Sequence, residues 1–241
     1  MVELLWLVLF AFVPVTPASE RTPVLVELFT SEGCSSCPPA DQLLIHLLER
    51  QPVPGVEIIA LSEHVDYWNR LGWRDPFSSA QFTKRQSEYA DTFGGQGSYT
   101  PQMVVDGITD FVGSDSKRAV DEIAKAAKKT SEPLLLTAQD LKLHVEIPAL
   151  EAADVYLAVV ENNLSSSVLR GENEGRKISH VAVVRKLNVL GKTKAGTSFT
   201  ADPVIAVARD WKRADLRAVV FAQSIKTPRR ILSVASVPLS H

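Results

Sequence analysis

Val24-Leu-Val-Glu-Leu-Phe-Thr-Ser-Glu-Gly-Cys-Ser-Ser-Cys-Pro-Pro-Ala-Asp41 holds the only two cysteines of the 241-residue chain, Cys34 and Cys37, in a C-x-x-C. Val24 to Phe29 are apolar apart from Glu27, which reads as a buried strand. After the cysteines, Ala40, Leu43, Leu44, Leu47 and Leu48 recur at helical spacing. Gly33 allows the sharp turn between the two. Pro38 and Pro39 fit a helix's first turn, whose N–H groups lack partners anyway. The cysteines therefore stand at a strand-to-helix corner, on the positive end of a helix dipole. Such a site stabilises a thiolate and draws its pKa below the free value of about 8.5.

Three chemistries fit two cysteines so spaced. A zinc site needs four protein ligands, and no second C-x-x-C or paired His cluster completes one. An inert disulfide closing so small a ring constrains the unfolded chain little. A redox-active dithiol fits the corner best.

An apolar fraction of 45% supports real cores in one large domain or two ordinary ones. Charged residues make up 22% and the formal net charge is −2, with no basic surplus to attract nucleic acid or an anionic membrane. Leu4 to Val13 form an apolar run too short to span a bilayer, and Val15-Thr-Pro-Ala18 offers small residues for cleavage after Ala18. Residues 1–18 read as a signal peptide, although the segment before the run has Glu3 and no Lys or Arg. The expectation is a secreted or periplasmic protein with no stable membrane insertion after cleavage. Such a compartment suits a disulfide.

Val56 to Leu61 read as a second buried strand, completing a βαβ unit with parallel strands. The loop that follows carries His64, Asp66, Tyr67, Trp68, Arg70, Trp73, Arg74, Asp75 and Phe77. A loop leaving the carboxyl end of such a strand faces the ligand crevice, beside the cysteines. The aromatics would equally serve to pack the loop down. Ser78 or Ser79 caps a helix to about Ala90, Gln102 to Gly107 is a strand ending in an Asp-Gly turn, and Ile108 to Val112 pairs back on it. Ser114 or Asp115 caps a third helix. Residues 22–131 are thus expected to form an α/β domain, in an element order that resembles the thioredoxin arrangement. From residue 133 the texture changes to short strands at Leu134–Thr137, Leu141–Ile147, Val155–Glu161, Ser179–Leu190, Thr197–Thr200, Val204–Ala208, Leu216–Ser224 and Ile231–Val237. Residues 133–241 are expected as an antiparallel β-sandwich.

Val26 to Asp41, His64-Val-Asp-Tyr-Trp68 with Leu71-Gly-Trp73 and Asp75-Pro-Phe77, and Tyr99-Thr-Pro-Gln-Met-Val-Val-Asp-Gly107 together resemble one family. It is a family of secreted, largely bacterial proteins of unknown function with a thioredoxin-like domain. The likeness is close over residues 24–130 and looser at Gly171-Glu-Asn-Glu-Gly-Arg176 and Val183-Val-Arg185. The resemblance implies a fold, a compartment and a dithiol, and no known substrate. Within the wider thioredoxin superfamily, Thr100-Pro101 resembles the cis-proline that packs on the active-site cysteines, where the Thr100 backbone would pair with a substrate strand. Glu27 resembles the buried acid that shuttles the resolving thiol's proton; alternatively it pairs with a cation at a sheet end.

The mechanism expected is attack at an accessible Cys34 and resolution of the mixed disulfide by Cys37, with Glu27 or His64 exchanging the proton. Tyr67, Trp68, Thr100 and Pro101 would contact substrate. Ser35 and Ser36 are neutral, so a middling potential is expected, within about −270 to −120 mV. Partners would be protein thiols and a redox partner protein, with no cofactor beyond the redox disulfide. Two alternatives stand beside this. Cys34, Cys37 and His64 would suit copper(I), provided His64 reaches the sulfurs. Otherwise the chain is a redox-inert binding module, with Asn173, Arg176, His180 and Arg185 as an exposed patch remote from the cysteines. If that loop instead folds over Cys34, it is a lid or specificity element. His46, His144 and His241 read as surface residues without a role.

Overall fold

A computed structural model describes residues 21–94, 97–129 and 131–239. The segment read as a signal peptide and His241 lie outside them. The apolar run before the cysteines is β1 (Thr22–Thr30), buried over its last seven residues. Helix α1 (Pro38–Arg50) follows, burying Ala40, Asp41, Leu44 and Leu47. Each buried leucine contributes about 1.5–3 kcal/mol. The helix ends at Gln51 in the left-handed region (φ 46°). The Gln51 amide then accepts from the Ile58 N–H (2.7 Å) and donates to its C=O (3.2 Å), fastening the helix end to the next strand.

That strand, β2 (Val56–His64), runs parallel to β1 from Thr22↔Val56 to Thr30↔His64. Helix α2 (Ala80–Thr92) starts at Ser79, whose hydroxyl accepts from the Gln81 N–H. Strand β3 (Gln102–Val105) pairs antiparallel with β1, and β4 (Thr109–Val112) folds back on β3. Helix α3 (Ser116–Ala126) is capped by Asp115. Up to here the elements follow the expected order.

In the second half β5 (Leu135–Gln139), β6 (Lys142–Ile147) and, after a gap, β11 (Phe199–Ala201) make a three-stranded antiparallel sheet. Strands β8 (Leu164–Ser167) and β9 (Lys177–His180) form a separate hairpin. The remaining strands, β7 (Ala153–Glu161), β10 (Val183–Thr193), β12 (Leu216–Ser224) and β13 (Ile231–Pro238), are antiparallel neighbours. The expected strand at Val204–Ala208 is reduced to one bridge, Lys142↔Val204. The single run expected over Ser179–Leu190 is broken at Ala182, which has φ 49°.

The two halves share a sheet. One eight-stranded mixed sheet runs β13-β12-β7-β10-β2-β1-β3-β4, with β10 joined in parallel to β2 at Val183↔Ser62. The Ser62 N–H donates to the Ala182 C=O at 2.8 Å beside that joint. Strand β7 is buried on both faces as a result. Val155, Leu157 and Val159 pack with Leu143, Val145 and Ile147 of the three-stranded sheet. Ala158 and Val160 join the core of the first half. Within residues 133–239 the three-stranded sheet packs on β7 and β12, but in place of a separate sandwich sheet the larger layer continues across the expected boundary.

Candidate active site

The C-x-x-C lies where β1 hands over to α1. The Cys34 N–H donates to the Ser31 C=O at 3.1 Å, and the Cys37 C=O accepts from the Ala40 and Asp41 N–H groups at 2.8 and 3.1 Å. Cys37 is thus the residue from which α1 starts, with prolines in the first turn. The two cysteines form a disulfide with Cα atoms 5.4 Å apart. Cys34 Sγ stands 3.3 Å from Ser36 Oγ. Both cysteines are 0% exposed, so the accessible Cys34 expected from the corner geometry is not what this state presents.

A buried network of acids and imidazoles flanks the disulfide. Asp75 accepts at Oδ2 from the Glu32 N–H (2.8 Å) and pairs with His64 Nδ1 (2.7 Å), while its Oδ1 accepts from the Phe77 N–H. Burial alone would raise the Asp75 carboxyl, but His64 and these hydrogen bonds bring it below its usual range. Glu32 accepts from Trp73 Nε1 at 2.8 Å and meets His180 Nε2 at 3.1 Å. Asp41 accepts from the Thr30 hydroxyl at 2.9 Å, and its second oxygen has no partner among the described residues. Burial pushes Asp41 up to about 7, against the pull of His180 and Thr30, with Asp75 and Glu32 pushing the same way as burial.

Glu27 is elsewhere. Strand alternation aims Thr30 at Asp41 on α1, whereas Glu27 and Phe29 point at Arg85 and Tyr89 on α2. The Glu27 carboxylate pairs with the Arg85 guanidinium, which also reaches Gln223 and lies near Glu63. Glu27 thus pairs with a cation, as the alternative weighed for it supposed, but in the middle of an interior strand rather than at a sheet end. Burial raises Glu63 well above its usual range; Arg85 opposes that shift and Glu27 adds to it.

The aromatic loop folds onto the site. Trp68 Nε1 donates to Thr100 Oγ1 at 2.8 Å, and a Cβ on Gly33 would stand 3.1 Å from Trp68 Cβ. The Thr100–Pro101 peptide bond is cis, and Pro101 is buried. Tyr67 Oη donates to Gln86 Oε1 of α2, and partial burial raises its phenol.

Asn173 and His180 are buried against the site rather than displayed on a remote patch. Asn173 Nδ2 donates to the Glu32 and Cys34 C=O groups, both at 2.9 Å. The Ser35 N–H donates to Glu172 Oε2 at 3.0 Å. Arg176 is exposed, and Arg185 pairs with Asp210 and Glu161 over the rings of Phe77 and Trp211. His46 is exposed, and His144 bridges Asp202 and Glu146 at the surface. Copper(I) would need the two sulfurs free and His64 beside them. Here the sulfurs are joined, His64 Nδ1 is held by Asp75, and among the described residues no group of three or more His, Cys, Asp or Glu is placed to hold a metal ion.

Of the residues expected at the site, Cys34, Cys37, His64, Trp68, Thr100 and Pro101 lie in the segments just described, whereas Glu27 and Tyr67 pair with Arg85 and Gln86 of α2. Sequence reasoning passed over Glu32 and Asp41. Their signal was position: one precedes Cys34 by two residues, and the other lies one helical turn beyond Cys37.

Comparison with solved structures agrees with this architecture. A crystal structure of a protein from Agrobacterium tumefaciens, a structural-genomics target, is 27% identical, covers 92% of this chain and 97% of its own, and superposes with a TM-score of 0.76. HBP35 of Porphyromonas gingivalis, at 16% identity, covers 91% of this chain and 76% of its own with a TM-score of 0.64, a likeness of fold. No curated protein matches. The model for the family described as "Protein of unknown function (DUF1223)" matches residues 25–223, and the chain belongs to that family.

Proposed function

We propose that the protein is an exported thiol–disulfide oxidoreductase whose first half, residues 22–131, is a thioredoxin-like unit and whose residues 133–241 are a β-rich unit built onto it. The observation that carries this is the Cys34–Cys37 disulfide at the first turn of α1, whose chain neighbours Glu32 and Asp41 belong to a buried set of carboxyl and imidazole groups. A purely structural staple of this loop size would contribute little to stability and has no use for such a network.

In the reaction, a partner thiolate attacks Cys34 Sγ as the Sγ–Sγ bond breaks, and Cys37 leaves as a thiolate and takes a proton. A second thiolate of the partner then displaces Cys34, which also takes a proton. The partner dithiol loses two electrons and becomes a disulfide, and Cys34 and Cys37 become thiols. Run backwards, the same steps reduce a partner disulfide. Trp68 and Thr100 border the approach. The substrates are protein thiols or disulfides of a secreted or periplasmic compartment, and a second redox protein restores the starting state.

The test is a titration of the protein against glutathione, read by alkylation mass, with Cys34→Ser and Cys37→Ser beside it. A reversible transition within about −270 to −120 mV is expected. Cys37→Ser should capture proteins as mixed disulfides and Cys34→Ser should not. A pair that stays oxidised far below that range would make the disulfide structural and end the proposal.

A further inference from the structure

Cys34 is fully buried, while Ser35 and Ser36 next to it are exposed. What lies against this backbone comes from the loop between β8 and β9. The loop is tied together internally: the Val168 N–H donates to the Arg176 C=O, the Gly175 N–H to the Val168 C=O, and the Arg176 N–H to the Asn173 C=O. Gly171 (φ 82°) and Gly175 (φ 77°) take conformations that other residues resist. Between Leu169 and Lys177 every residue is exposed except Asn173, which is 0% exposed. Leu169 itself is 67% exposed. The loop thus touches the corner through one inserted amide and one surface carboxylate, and beside it Gly171 packs on Leu71 and Trp73. Segments so held open at low cost compared with global unfolding.

Resting on the oxidoreductase proposal, we infer that residues 169–176 are a movable cover over Cys34, latched by Asn173 and Glu172, which a substrate must displace. The latch occupies three backbone groups, the C=O of Glu32, the C=O of Cys34 and the N–H of Ser35. Two acceptors and one donor in neighbouring residues are what an extended polypeptide segment matches with its own backbone. A small thiol lacks that set. The cover therefore selects for partners that present the reacting cysteine in an extended segment, and it holds off small thiols.

The experiment measures reduction of the oxidised full chain by dithiothreitol, quenched by alkylation and read by mass. Wild type is compared with Asn173→Ala, Glu172→Gln and the exposed control Lys177→Ala. Loss of the latch amide should speed reduction by about tenfold or more, and Glu172→Gln by a few-fold. Lys177→Ala should match wild type. The inference is overturned if wild type reacts as fast as an unstructured C-x-x-C peptide disulfide, or if neither latch variant gains speed. Should Asn173→Ala fail to fold, Glu172→Gln, altered only at the surface, decides. Faster reduction with no protein captured by Cys37→Ser upholds the cover and sinks the oxidoreductase proposal. Capture with no gain in speed does the reverse.

Discussion

His64, at the end of β2, and His180, at the end of β9, cross with ring centroids 4.8 Å apart and planes at 75°. Each is held by a carboxylate, Asp75 and Glu32 respectively, and the Glu32 N–H donates to that same Asp75. The crossing therefore fixes the second half of the chain to the segment just before Cys34 in a nearly water-free contact. The pairs cost desolvation and are retained by mutual hydrogen bonding.

Asp75 should govern acid stability. Its folded pKa lies below the ordinary value, so its contribution is present above the usual aspartate range near 4 and lost as pH falls through the lowered value. Asp75→Asn keeps one acceptor oxygen but turns an NH2 toward the other partner, either the Glu32 N–H or the Phe77 N–H, removes the carboxylate beside His64, and should cost about 3 kcal/mol at pH 7. Urea unfolding of wild type and variant from pH 2 to 7 reads this, with the gap closing at the acid end.

Asp41 should act with the opposite sign. Its carboxyl is raised to about 7, so the folded state keeps a proton that the unfolded state releases near pH 4. Stability is then lost as pH rises from about 4 to about 7, with a slope of up to about 1.4 kcal/mol per pH unit. Asp106, also raised to about 7 by burial, contributes the same slope to wild type and variant alike. Asp41→Asn should flatten its own share and be more stable than wild type by about 1–3 kcal/mol at pH 8, measured on the oxidised protein.

The Arg85 cluster should be structural. Arg85→Ala leaves Glu27 and Glu63 buried without their cation and should cost about 3–5 kcal/mol. Glu27→Gln keeps the shape, and its disulfide should be reduced by dithiothreitol with the wild-type rate and pH dependence. A shifted pH profile in that variant would return Glu27 to the proton-exchanging role.

Gly113 marks how tightly the disulfide's surroundings are packed. A Cβ there would stand 2.7 Å from Leu28 Cδ1 and 3.2 Å from the Cβ atoms of Ala40 and Pro101. Leu28 offers only the end of its side chain, but it is fully buried, and Ala40 and Pro101 are short and fixed. Gly113→Ala should cost about 1–3 kcal/mol by thermal or urea unfolding.

Much of this was legible because local patterns specified it. The spacing of Ala40, Leu44 and Leu47 set α1, and the Asp-Gly at 106–107 set the turn between β3 and β4. Strand β8 was missed because Leu164-Ser-Ser-Ser167 has no apolar alternation. The break at Ala182 was missed because alanine carries no turn signal. The shared sheet depends on Val183 finding Ser62, a long-range pair with no local trace. At the site, the cysteine spacing announced itself, while Asp41 looked like an ordinary first-turn acid favoured by the helix dipole. Which face of β1 meets α1 is a tertiary fact, and that parity decided between Glu27 and Thr30 as Asp41's neighbour.

Asn173 follows Cys34 by 139 residues. A chain made from its N-terminus completes the corner of β1 and α1 long before residues 169–176 exist, and domains fold in that order during synthesis. The nascent protein therefore exposes its cysteines to whatever oxidant its surroundings hold. In the finished protein both cysteines are buried, and on the cover proposed above they stay so until the loop lifts. On the proposed function, synthesis and working life thus present two different surfaces at the same sulfur, and whatever first oxidises Cys34 need not resemble a partner that later reacts with it.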